Sequence, residues 1–456
     1  MAIERQKQHE QEPNIRKTNF DAVESNFTDE QAHLESERCL NCKNPKCVSG
    51  CPVNINIPAF IHEVKENNIE KAGEIIRESS MLPSVCGRVC PQERQCEGKC
   101  VLGIKGEPVA IGALERYVGD KTKAQDIEIK PSGKKVAIVG SGCAGITAAA
   151  DLRKAGHDVT VFEALHELGG VLRYGIPPFR LPRTVLDREL ETLKSIGVKF
   201  NKNVVVGKSI TLKQLEDDGY DAIFICSGAG LPKMLGIEGE NLNGVYSANE
   251  FLTRVNLMHA NDEKHPTPLR VGKKVAVIGG GDVAMDAART SLRVGFEQVI
   301  ITYRRTEAEL PARKEEVRHA KEEGVVFNLL RSPVEILGEE GYVKGLKLEI
   351  MELGEPDASG RRKPIGTGKF ETLDVDSVIV ALGTGPNPII QRSAQTEGLN
   401  IDVNSKGYIV VNETTGETSI PKIYAGGDVA PIGESTAINA MGAGKRAAKA
   451  INELLK

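Results

Sequence analysis

The chain has 456 residues, of which 40% are hydrophobic and 27% charged, and its formal net charge at pH 7 is −4. This length has room for about three domains, and so small a charge offers no electrostatic attraction to nucleic acid or to membranes. No apolar run reaches the roughly 18 residues that span a bilayer, and the polar N-terminus does not resemble a signal peptide. We therefore expect a cytoplasmic protein that binds neither nucleic acid nor membrane.

The first distinctive feature is a pair of cysteine runs near the N-terminus, which together hold eight of the ten cysteines. The runs are Cys39-x2-Cys42-x4-Cys47-x3-Cys51 and Cys86-x3-Cys90-x5-Cys96-x3-Cys100. Without an export signal, such cysteines are better interpreted as metal ligands than as disulfides. Iron–sulfur clusters are held by four converging ligands, mostly thiolates, so the runs favour two [4Fe–4S] clusters, most simply one per run.

Two alternatives to iron–sulfur clusters stay open. Zinc knuckles also use Cys-x2-Cys, but no histidine lies among the runs and the longer gaps fit a zinc ribbon poorly. A redox dithiol is favoured still less, because it needs only one cysteine pair and the two runs hold eight cysteines.

The segments around the cysteine runs predict a helical domain with an arm. Residues 1–35 are polar and predict an arm that packs on a partner or on another domain. Apolar residues recur at helical spacing over 57–79, and a second helical pattern covers 106–120. The charged stretch 121–133 ends in Pro-Ser-Gly and predicts a linker.

A dinucleotide-binding unit begins at Lys135. Gly140-x-Gly142-x-x-Gly145 follows an apolar strand and precedes an Ala-rich helix. The first glycine makes the turn, the second admits the pyrophosphate and the third lets helix and strand pack. Glu163 ends the next strand, where a carboxylate can accept from ribose hydroxyls.

A second unit about 140 residues further on carries Gly279-x-Gly281-x-x-Ala284. Its second strand ends in Arg304 and Arg305 rather than in an acid. Guanidinium groups pair with a 2′-phosphate that a carboxylate would repel, so this unit favours NADP over NAD. The alternative is that both arginines are solvated surface charge.

The C-terminal part carries a third element of cofactor binding. Gly427 and Asp428 follow an apolar strand, where the aspartate can reach the ribityl and pyrophosphate region of FAD. A helical pattern covers 436–456, and its start at Thr436 would direct a helix N-terminus at the flavin. Apolar strands leading into 226–229 and 381–384 predict chain returns between domains.

No general acid or base stands out, and hydride transfer between nicotinamide and flavin requires none. We therefore predict no catalytic residue. Cys143 and Cys226 do not form a Cys-x4-Cys dithiol, which disfavours a disulfide reductase. The charge run 314–324 predicts a solvated helix face, with Arg313 and Arg318 as lesser candidates for phosphate contact.

Taken together, these elements resemble one family over nearly the whole chain: the small (β) subunit of NADPH-dependent glutamate synthase and its relatives. The relatives include the flavin subunit of NADH-dependent ferredoxin:NADP oxidoreductase, also described as sulfide dehydrogenase, and the N-terminal half of dihydropyrimidine dehydrogenase. The matching segments are RCLNCKNPKCVSGCPVNINIP, CGRVCPQERQCEGKC, GGVLRYGIPPFRLPR, GGGDVAMDAAR, YRRTEAELPAR and AGGDV.

The resemblance implies an α/β fold in which a helical double [4Fe–4S] domain precedes two Rossmann-like domains arranged as in glutathione reductase. The expected bounds are 1–130 for the iron–sulfur domain with its arm, 131–250 and 386–456 for the FAD domain, and 251–385 for the NADPH domain. In this family NADPH reduces FAD, and the clusters conduct electrons to a partner.

The resemblance also implies a crossed set of cluster ligands. One cluster would be held by Cys39, Cys42, Cys47 and Cys100, and the other by Cys51, Cys90, Cys96 and Glu115. Cys86 would then be structural or lie close to the flavin. The remaining members of the predicted cofactor-binding set are Ala144, Gly170, Arg173, Asp282 and Gly383.

The partner stays open at this stage. The sequence shows no glutaminase domain and no FMN-binding barrel, so it predicts only the electron-input half of a glutamate synthase. It also predicts an oligomer with a second redox subunit. One alternative is the bifurcating ferredoxin:NADP oxidoreductase, whose partner is a smaller flavin subunit. Another is a stand-alone sulfide or polysulfide reductase, for which Cys86 is the only candidate reactive cysteine. A scaffold with vestigial nucleotide folds is disfavoured by the intact glycines.

Overall fold

The computed structural model describes residues 3–123, 128–356, 360 and 362–456. Its N-terminal part is helical. The helices are α1 (Pro13–Arg16), α2 (Asp29–Glu37), α3 (Lys46–Ser49), α4 (Ile57–Lys65), α5 (Ile69–Ser79), α6 (Pro83–Val89) and α7 (Ile111–Lys121). Short 3-10 turns at Gln92–Arg94, Glu97–Lys99 and Val101–Ile104 connect α6 to α7.

The helical patterns of the sequence are modified in two places. The stretch 57–79 forms two helices, because the chain turns at Asn67, whose φ is +61°, a left-handed conformation that asparagine tolerates better than most residues. The second pattern becomes helical only at Ile111. Residues 124–127 of the predicted linker lie outside the described residues.

The next part of the chain builds a parallel α/β unit. Its elements are β1 (Lys135–Val139), α8 (Cys143–Lys154), β2 (Asp158–Phe162), α9 (Val171–Tyr174), α10 (Arg183–Ser195), β3 (Lys199–Asn201), α11 (Leu212–Asp217) and β4 (Ala222–Ile225). The central strands are almost wholly apolar and buried, as expected for a parallel sheet covered on both faces.

A second α/β unit and the C-terminal elements follow. They are β5 (Leu231–Pro232), β6 (Val245–Ser247), α12 (Ala248–Asn256), β7 (Lys274–Ile278), α13 (Asp282–Arg293), β8 (Gln298–Tyr303), α14 (Lys314–Glu322), β9 (Val326–Leu329), β10 (Arg331–Glu339), β11 (Tyr342–Pro356), β12 (Arg362–Asp374), β13 (Ser377–Val380), β14 (Thr384–Gly385), α15 (Ile389–Thr396), β15 (Ile423–Ala425) and α16 (Ala437–Leu455). Among the described residues, no helix combines the length and apolarity needed to cross a membrane.

Within the described residues, the strands form two parallel sheets and two antiparallel ones. The first parallel sheet has the order β15-β4-β1-β2-β3, so the C-terminal strand returns to the first unit, and the second has the order β6-β13-β7-β8-β9. The segments predicted as chain returns lead into β5 and β14, which pair with each other. Strands β10, β11 and β12 form an antiparallel sheet that the sequence analysis did not anticipate.

The N-terminal arm packs against this chain's own second unit. Arg16 is only 1% exposed. Its guanidinium pairs with Glu322 at 2.6 Å, Glu323 at 3.0 Å and Glu10 at 3.2 Å. The sequence predicts that the arm, residues 1–35, packs on a partner or on another domain, and this contact places it on α14.

The same contact overturns the prediction that 314–324 is a solvated helix face. Glu316, His319 and Glu323 are buried. The Glu323 carboxylate accepts hydrogen bonds from Arg289 at 2.7 Å and from Arg293 at 2.7 Å. A charge run looks solvated in sequence because its counter-charges lie elsewhere in the chain, here on α13 and on the arm.

Removal of the shared carboxylate should destabilise this region strongly. We expect Glu323→Ala to cost about 3–5 kcal/mol, because it leaves buried arginines without their counter-charge. Thermal unfolding followed by circular dichroism would measure the loss. Glu297→Ala, which alters an exposed carboxylate, is the control and should leave the midpoint unchanged. An equal midpoint for both variants would contradict the structural role of the network.

Candidate functional site

A cavity of about 1270 Å³ is lined by residues of both parallel α/β units. Val139 and Phe162 at the ends of β1 and β2 line it, as does Val380 at the end of β13. In open α/β sheets, ligands bind at the carboxyl ends of the strands, and the size of this cavity exceeds that of an ordinary small-molecule pocket. The position therefore suits extended ligands shared by both units.

Most residues predicted to bind the flavin converge on this cavity. The predicted residues that line it are Gly140, Gly142, Ala144, Glu163, Gly170, Asp282, Gly383, Gly427, Asp428 and Thr436. The predicted residues that do not line it are Gly145, Arg173, Gly279, Gly281, Ala284, Arg304 and Arg305.

The first glycine loop has the geometry of a phosphate cradle. Gly140 has φ +115°, and a Cβ there would lie 2.6 Å from the Cys226 carbonyl oxygen. At Gly145 a Cβ would lie 2.0 Å from the Gly140 oxygen, which only glycine allows. A Cβ at Gly142 would meet nothing within 4 Å. The loop therefore leaves room beside Gly142 and the N-terminus of α8, where FAD phosphates fit.

The second glycine loop repeats this arrangement. Gly279 has φ +145°, and its Cβ would lie 2.5 Å from the Ala381 oxygen. At Gly281 a Cβ would meet only Pro311, at 3.9 Å. Helix α13 begins directly after it, so backbone N–H groups are available to a second nucleotide.

Glu163 is held beside the first glycine loop by three hydrogen bonds. Its carboxylate accepts from the Ser141 N–H at 2.9 Å, from the Ser141 hydroxyl at 2.5 Å and from the Leu165 N–H at 2.9 Å. A carboxylate has about four acceptor positions. One therefore remains for a ribose hydroxyl, as predicted for an acid at this strand end.

Asp428 and the start of α16 line the cavity next to the first glycine loop, since a Cβ at Gly427 would lie 3.2 Å from Ala144 Cβ. Gly427 has φ +72°, which turns the chain between β15 and Asp428. Burial raises the pKa of Asp428, while its hydrogen bond from Ser435 opposes the shift. Thr436 caps α16 by accepting from the Asn439 N–H at 3.3 Å, and the positive end of the helix dipole there favours negative charge.

Three predicted arginines have distinct surroundings. Arg173 donates to the Leu168 oxygen at 3.1 Å and pairs with Asp187, so its guanidinium serves the loop rather than the cavity. Arg305 is buried and donates through Nε to the Arg362 oxygen at 2.8 Å. Arg304 is exposed at the end of β8.

The two lesser phosphate candidates also have partners within the protein. Arg313 donates to the Arg88 oxygen at 3.0 Å and to Gln92 at 2.9 Å, both in the helical domain. Arg318 pairs with Glu322 at 2.8 Å on its own helix. These contacts give both residues structural roles.

Four cysteines from both runs meet in one group, which we call the outer group: Cys39, Cys42, Cys47 and Cys100. All four line one small cavity. Burial raises the pKa of Cys47 to about 11, and the neighbouring Cys39 and Cys100 thiolates add to the shift. The four thiols are thus close enough to repel one another when ionised, a repulsion that a bound cationic centre would relieve.

Three further cysteines and one glutamate form a second set, the inner group: Cys51, Cys90, Cys96 and Glu115. Burial raises the pKa of Cys51 to about 11 and that of Cys96 well above its usual value, and Glu115 contributes to both shifts. Burial also raises the pKa of Glu115 to about 8, and its Oε1 has no hydrogen-bond partner. An unpartnered buried carboxylate beside three thiols fits the fourth ligand of an iron–sulfur cluster.

Cys86 lies between the inner group and the large cavity. Its side chain is 1% exposed, and its Sγ lies 3.5 Å from Met441 Sδ on α16. The hydrogen bond between Cys86 and Cys90 is the main cause that raises the pKa of Cys90. Burial and then the Cys86 thiolate raise the pKa of Cys143, which lines the large cavity. Cys86 therefore joins the two sites.

An ion pair that the sequence analysis missed also lines the cavity. Arg180 donates to both carboxylate oxygens of Asp286, at 2.8 and 2.7 Å. Arg180 precedes α10 of the first unit, whereas Asp286 lies on α13 of the second. Both belong to segments that carry the family resemblance, which was the signal available in the sequence.

Comparison with known proteins identifies the two parts of the chain. Residues 16–127 match the family described as dihydropyrimidine dehydrogenase domain II, 4Fe-4S cluster, and residues 134–450 match the pyridine nucleotide-disulphide oxidoreductase family. The chain is 38% identical to the glutamate synthase (NADPH) small chain of Escherichia coli, over 97% of this chain and 95% of that one. The chain belongs to this glutamate synthase small-chain family.

Another relative is larger than this chain. The chain is 39% identical to the NADP(+)-dependent formate dehydrogenase subunit beta of Moorella thermoacetica over 90% of its own length, but it spans only 60% of that subunit. It resembles Mycobacterium tuberculosis FprA, solved with NADPH, with a TM-score of 0.57 and 24% identity over 71% of this chain and 85% of that one. At that identity the likeness shows the fold alone.

These findings confirm the predicted fold class and the predicted enzyme class. The protein is an NADPH-dependent oxidoreductase in which an iron–sulfur domain precedes a pyridine nucleotide-disulphide oxidoreductase fold. The predicted cofactors, FAD, NADPH and 4Fe-4S, are those of this family. The presence of two clusters stays a prediction, as do the domain bounds and the role of each site residue.

Two glycines of the first loop allow FAD binding and folding to be tested separately. We expect Gly142→Ala to fold normally but to lose most of its FAD, because the added methyl group would occupy space left for the pyrophosphate. Gly145→Ala should instead lose stability, because its Cβ would collide with the Gly140 oxygen. Flavin content and thermal midpoint of the purified proteins measure the two effects. Full flavin content in Gly142→Ala would remove that glycine from the phosphate site.

Proposed function

We propose that this chain takes electron pairs from NADPH at the large cavity and delivers single electrons to a partner subunit through the inner and then the outer group. The observation that carries the order is the position of Cys86, whose Sγ lies 3.5 Å from Met441 Sδ of α16 and which raises the pKa of both Cys90 in the inner group and Cys143 at the large cavity. The outer group, whose cysteines are all partly exposed, lies further towards the surface.

The first unit would hold FAD. Gly142 and the start of α8 would bind its pyrophosphate, and Glu163 would accept from a ribose hydroxyl. Asp428 and the N-terminus of α16 would face the flavin end, where the helix dipole stabilises negative charge. When bound, FAD accepts a hydride and releases its electrons one at a time. The buried Arg180–Asp286 pair would hold the second unit against this site.

The second unit would hold NADPH. Gly281 and the start of α13 would bind its pyrophosphate, with Gly279 making the turn. The exposed Arg304 would bind the 2′-phosphate, and Arg305 would support it by fixing the backbone at Arg362. The two arginines have different roles because of their burial. The buried Arg305 guanidinium already donates to a backbone oxygen, so it is less free than Arg304 to bind phosphate.

The two cysteine groups would each hold one [4Fe–4S] cluster. The outer group supplies four thiolates, and the inner group supplies three thiolates and the Glu115 carboxylate. A sulfide reductase is not supported, because Cys86, the reactive cysteine that the sequence offered for it, is buried against Met441. Zinc is disfavoured as well, because the matched domain is described by its 4Fe-4S cluster.

The partner would be a second redox subunit in the cytoplasm. The glutamate synthase small chain and the formate dehydrogenase subunit beta named above are, by name, parts of larger enzymes, which supports an electron-accepting partner. A glutamate synthase large subunit is the first candidate, and the small flavin subunit of a ferredoxin:NADP oxidoreductase is the second. Anaerobic purification from the native source with mass analysis of bound subunits distinguishes them, and isolation without any partner would contradict this part of the proposal.

Substitution of the buried carboxylate tests the cluster assignment. We expect Glu115→Ala to bind about four irons per chain instead of about eight, while NADPH still reduces the flavin. Glu115→Gln, which keeps an oxygen ligand, should retain more iron. Iron analysis, electron paramagnetic resonance and stopped-flow flavin absorbance are the measurements. Full iron content with unchanged spectra in Glu115→Ala would exclude this carboxylate as a ligand.

Substitution of Arg304 tests the nucleotide assignment. We expect Arg304→Ala to raise the KM for NADPH about tenfold or more, because a charge-assisted contact to phosphate is lost, and to leave the KM for NADH nearly unchanged. Arg304→Lys should lie between the two. Steady-state kinetics with both nucleotides provide the measurement, and equal effects on both would reject a 2′-phosphate role.

A further inference from the structure

The surface above the outer group is unusually apolar. Ile104 is 79% exposed and Leu40 is 62% exposed, the two highest values among the exposed large hydrophobic side chains of the described residues. Leu40 lies between Cys39 and Cys42, and Ile104 lies four residues after Cys100. Isolated exposed apolar residues need no explanation, but these two flank the same group of cysteines.

The same surface carries positive charge. Lys43, Lys46, Lys99 and Lys105 are exposed, and in the described part of the chain no salt bridge involves any of them. The segments 38–50 and 98–106 contain no carboxylate. The nearest exposed ones in sequence are Glu37 and Glu107 at their edges. A local excess of cations contrasts with the net charge of −4 for the chain.

Three of these apolar and basic side chains lie beside the cysteines. Leu40, Lys46 and Lys99 line the same small cavity as the four thiols of the outer group. The cavity is also walled by Leu102 and Val101. A redox centre held there would be separated from a docked protein by little more than these side chains.

We propose that this surface, formed by Leu40, Ile104 and the four lysines, docks a one-electron acceptor protein or subunit that presents carboxylates around an apolar centre. Opposite charges steer association and fix orientation, while desolvated apolar contact at the centre supplies affinity. The inference rests on the proposed function, because it assumes that electrons leave through the outer group.

Electrons would cross this surface one at a time. Each docking event would take one electron from the cluster that the outer group would hold and give it to the acceptor, with no bond made or broken there. Two acceptors are therefore reduced for each NADPH oxidised to NADP+, and one proton is released. NADPH supplies both electrons, so no other reductant is required.

Two small one-electron proteins of opposite charge test the surface. Stopped-flow measurements would follow the reduction of acidic plastocyanin and of basic cytochrome c by the NADPH-reduced holoenzyme at increasing salt. We expect the rate with plastocyanin to exceed that with cytochrome c at low salt and to fall steeply as salt screens the attraction. A faster reaction with cytochrome c, or a plastocyanin rate independent of salt, would overturn the proposal.

Charge reversal locates the effect on the molecule. We expect Lys43→Glu/Lys105→Glu to slow plastocyanin reduction about tenfold or more at low salt, and Leu40→Ser/Ile104→Ser to slow it at all salt concentrations. The matched control is Lys208→Glu/Lys406→Glu, which reverses one exposed lysine of the first unit and one of the C-terminal part and should have little effect. Equal rates for the two charge-reversal variants would overturn the proposal.

The flavin signal separates this inference from the proposed function. In all these variants NADPH should reduce the flavin at the unchanged rate, because none of the altered residues touches the large cavity. If flavin reduction by NADPH were absent from the unaltered protein, the proposed function would fail. If it were present and the lysine variant still reduced plastocyanin normally, only the docking surface would be refuted.

Discussion

The structure depends on one hydrophobic core that the helical domain shares with the first parallel sheet. Phe60, Leu82 and Leu114 from the N-terminal helices belong to the same buried cluster as Ile138 of β1 and Met441 of α16. Because this core is close-packed, the cysteine groups cannot move independently of the cavity. Electron transfer between separate cofactors requires such a fixed distance, and burial of apolar side chains provides it.

The second α/β unit is attached differently. Its apolar residues form clusters of their own, and its contacts with the rest of the chain include many polar ones. Arg180 pairs with Asp286, Arg313 donates to Gln92, and Arg16 brings the arm onto α14. Polar interfaces of this kind permit more relative motion than a continuous apolar core. The nucleotide unit is therefore the part best able to adjust when its ligand enters or leaves.

Buried charge is used in two opposite ways in this molecule. Around Glu323 every buried guanidinium has a carboxylate partner, so the ions stabilise the packing of α13, α14 and the arm. Glu115 is equally buried, yet one of its oxygens has no partner. An unpaired buried carboxylate is costly, and such a cost is expected where a ligand completes the site. This contrast is what separates a structural charge from a functional one here.

The local conformations of the site follow from the sequence by itself. The glycine loops, their strands and helices, the cysteine runs and the start of α16 at Thr436 could all be predicted, because each depends on residues near one another in the chain. The spacing of the cysteines favoured one cluster per run, and the grouping of Cys100 with Cys47 was implied only by the family resemblance. Other interactions between distant segments required the tertiary structure. Arg305 turns to the backbone at Arg362, and 314–324 is buried by the arm. Short-range patterns determine backbone geometry, whereas only packing of the whole chain decides which side chains meet.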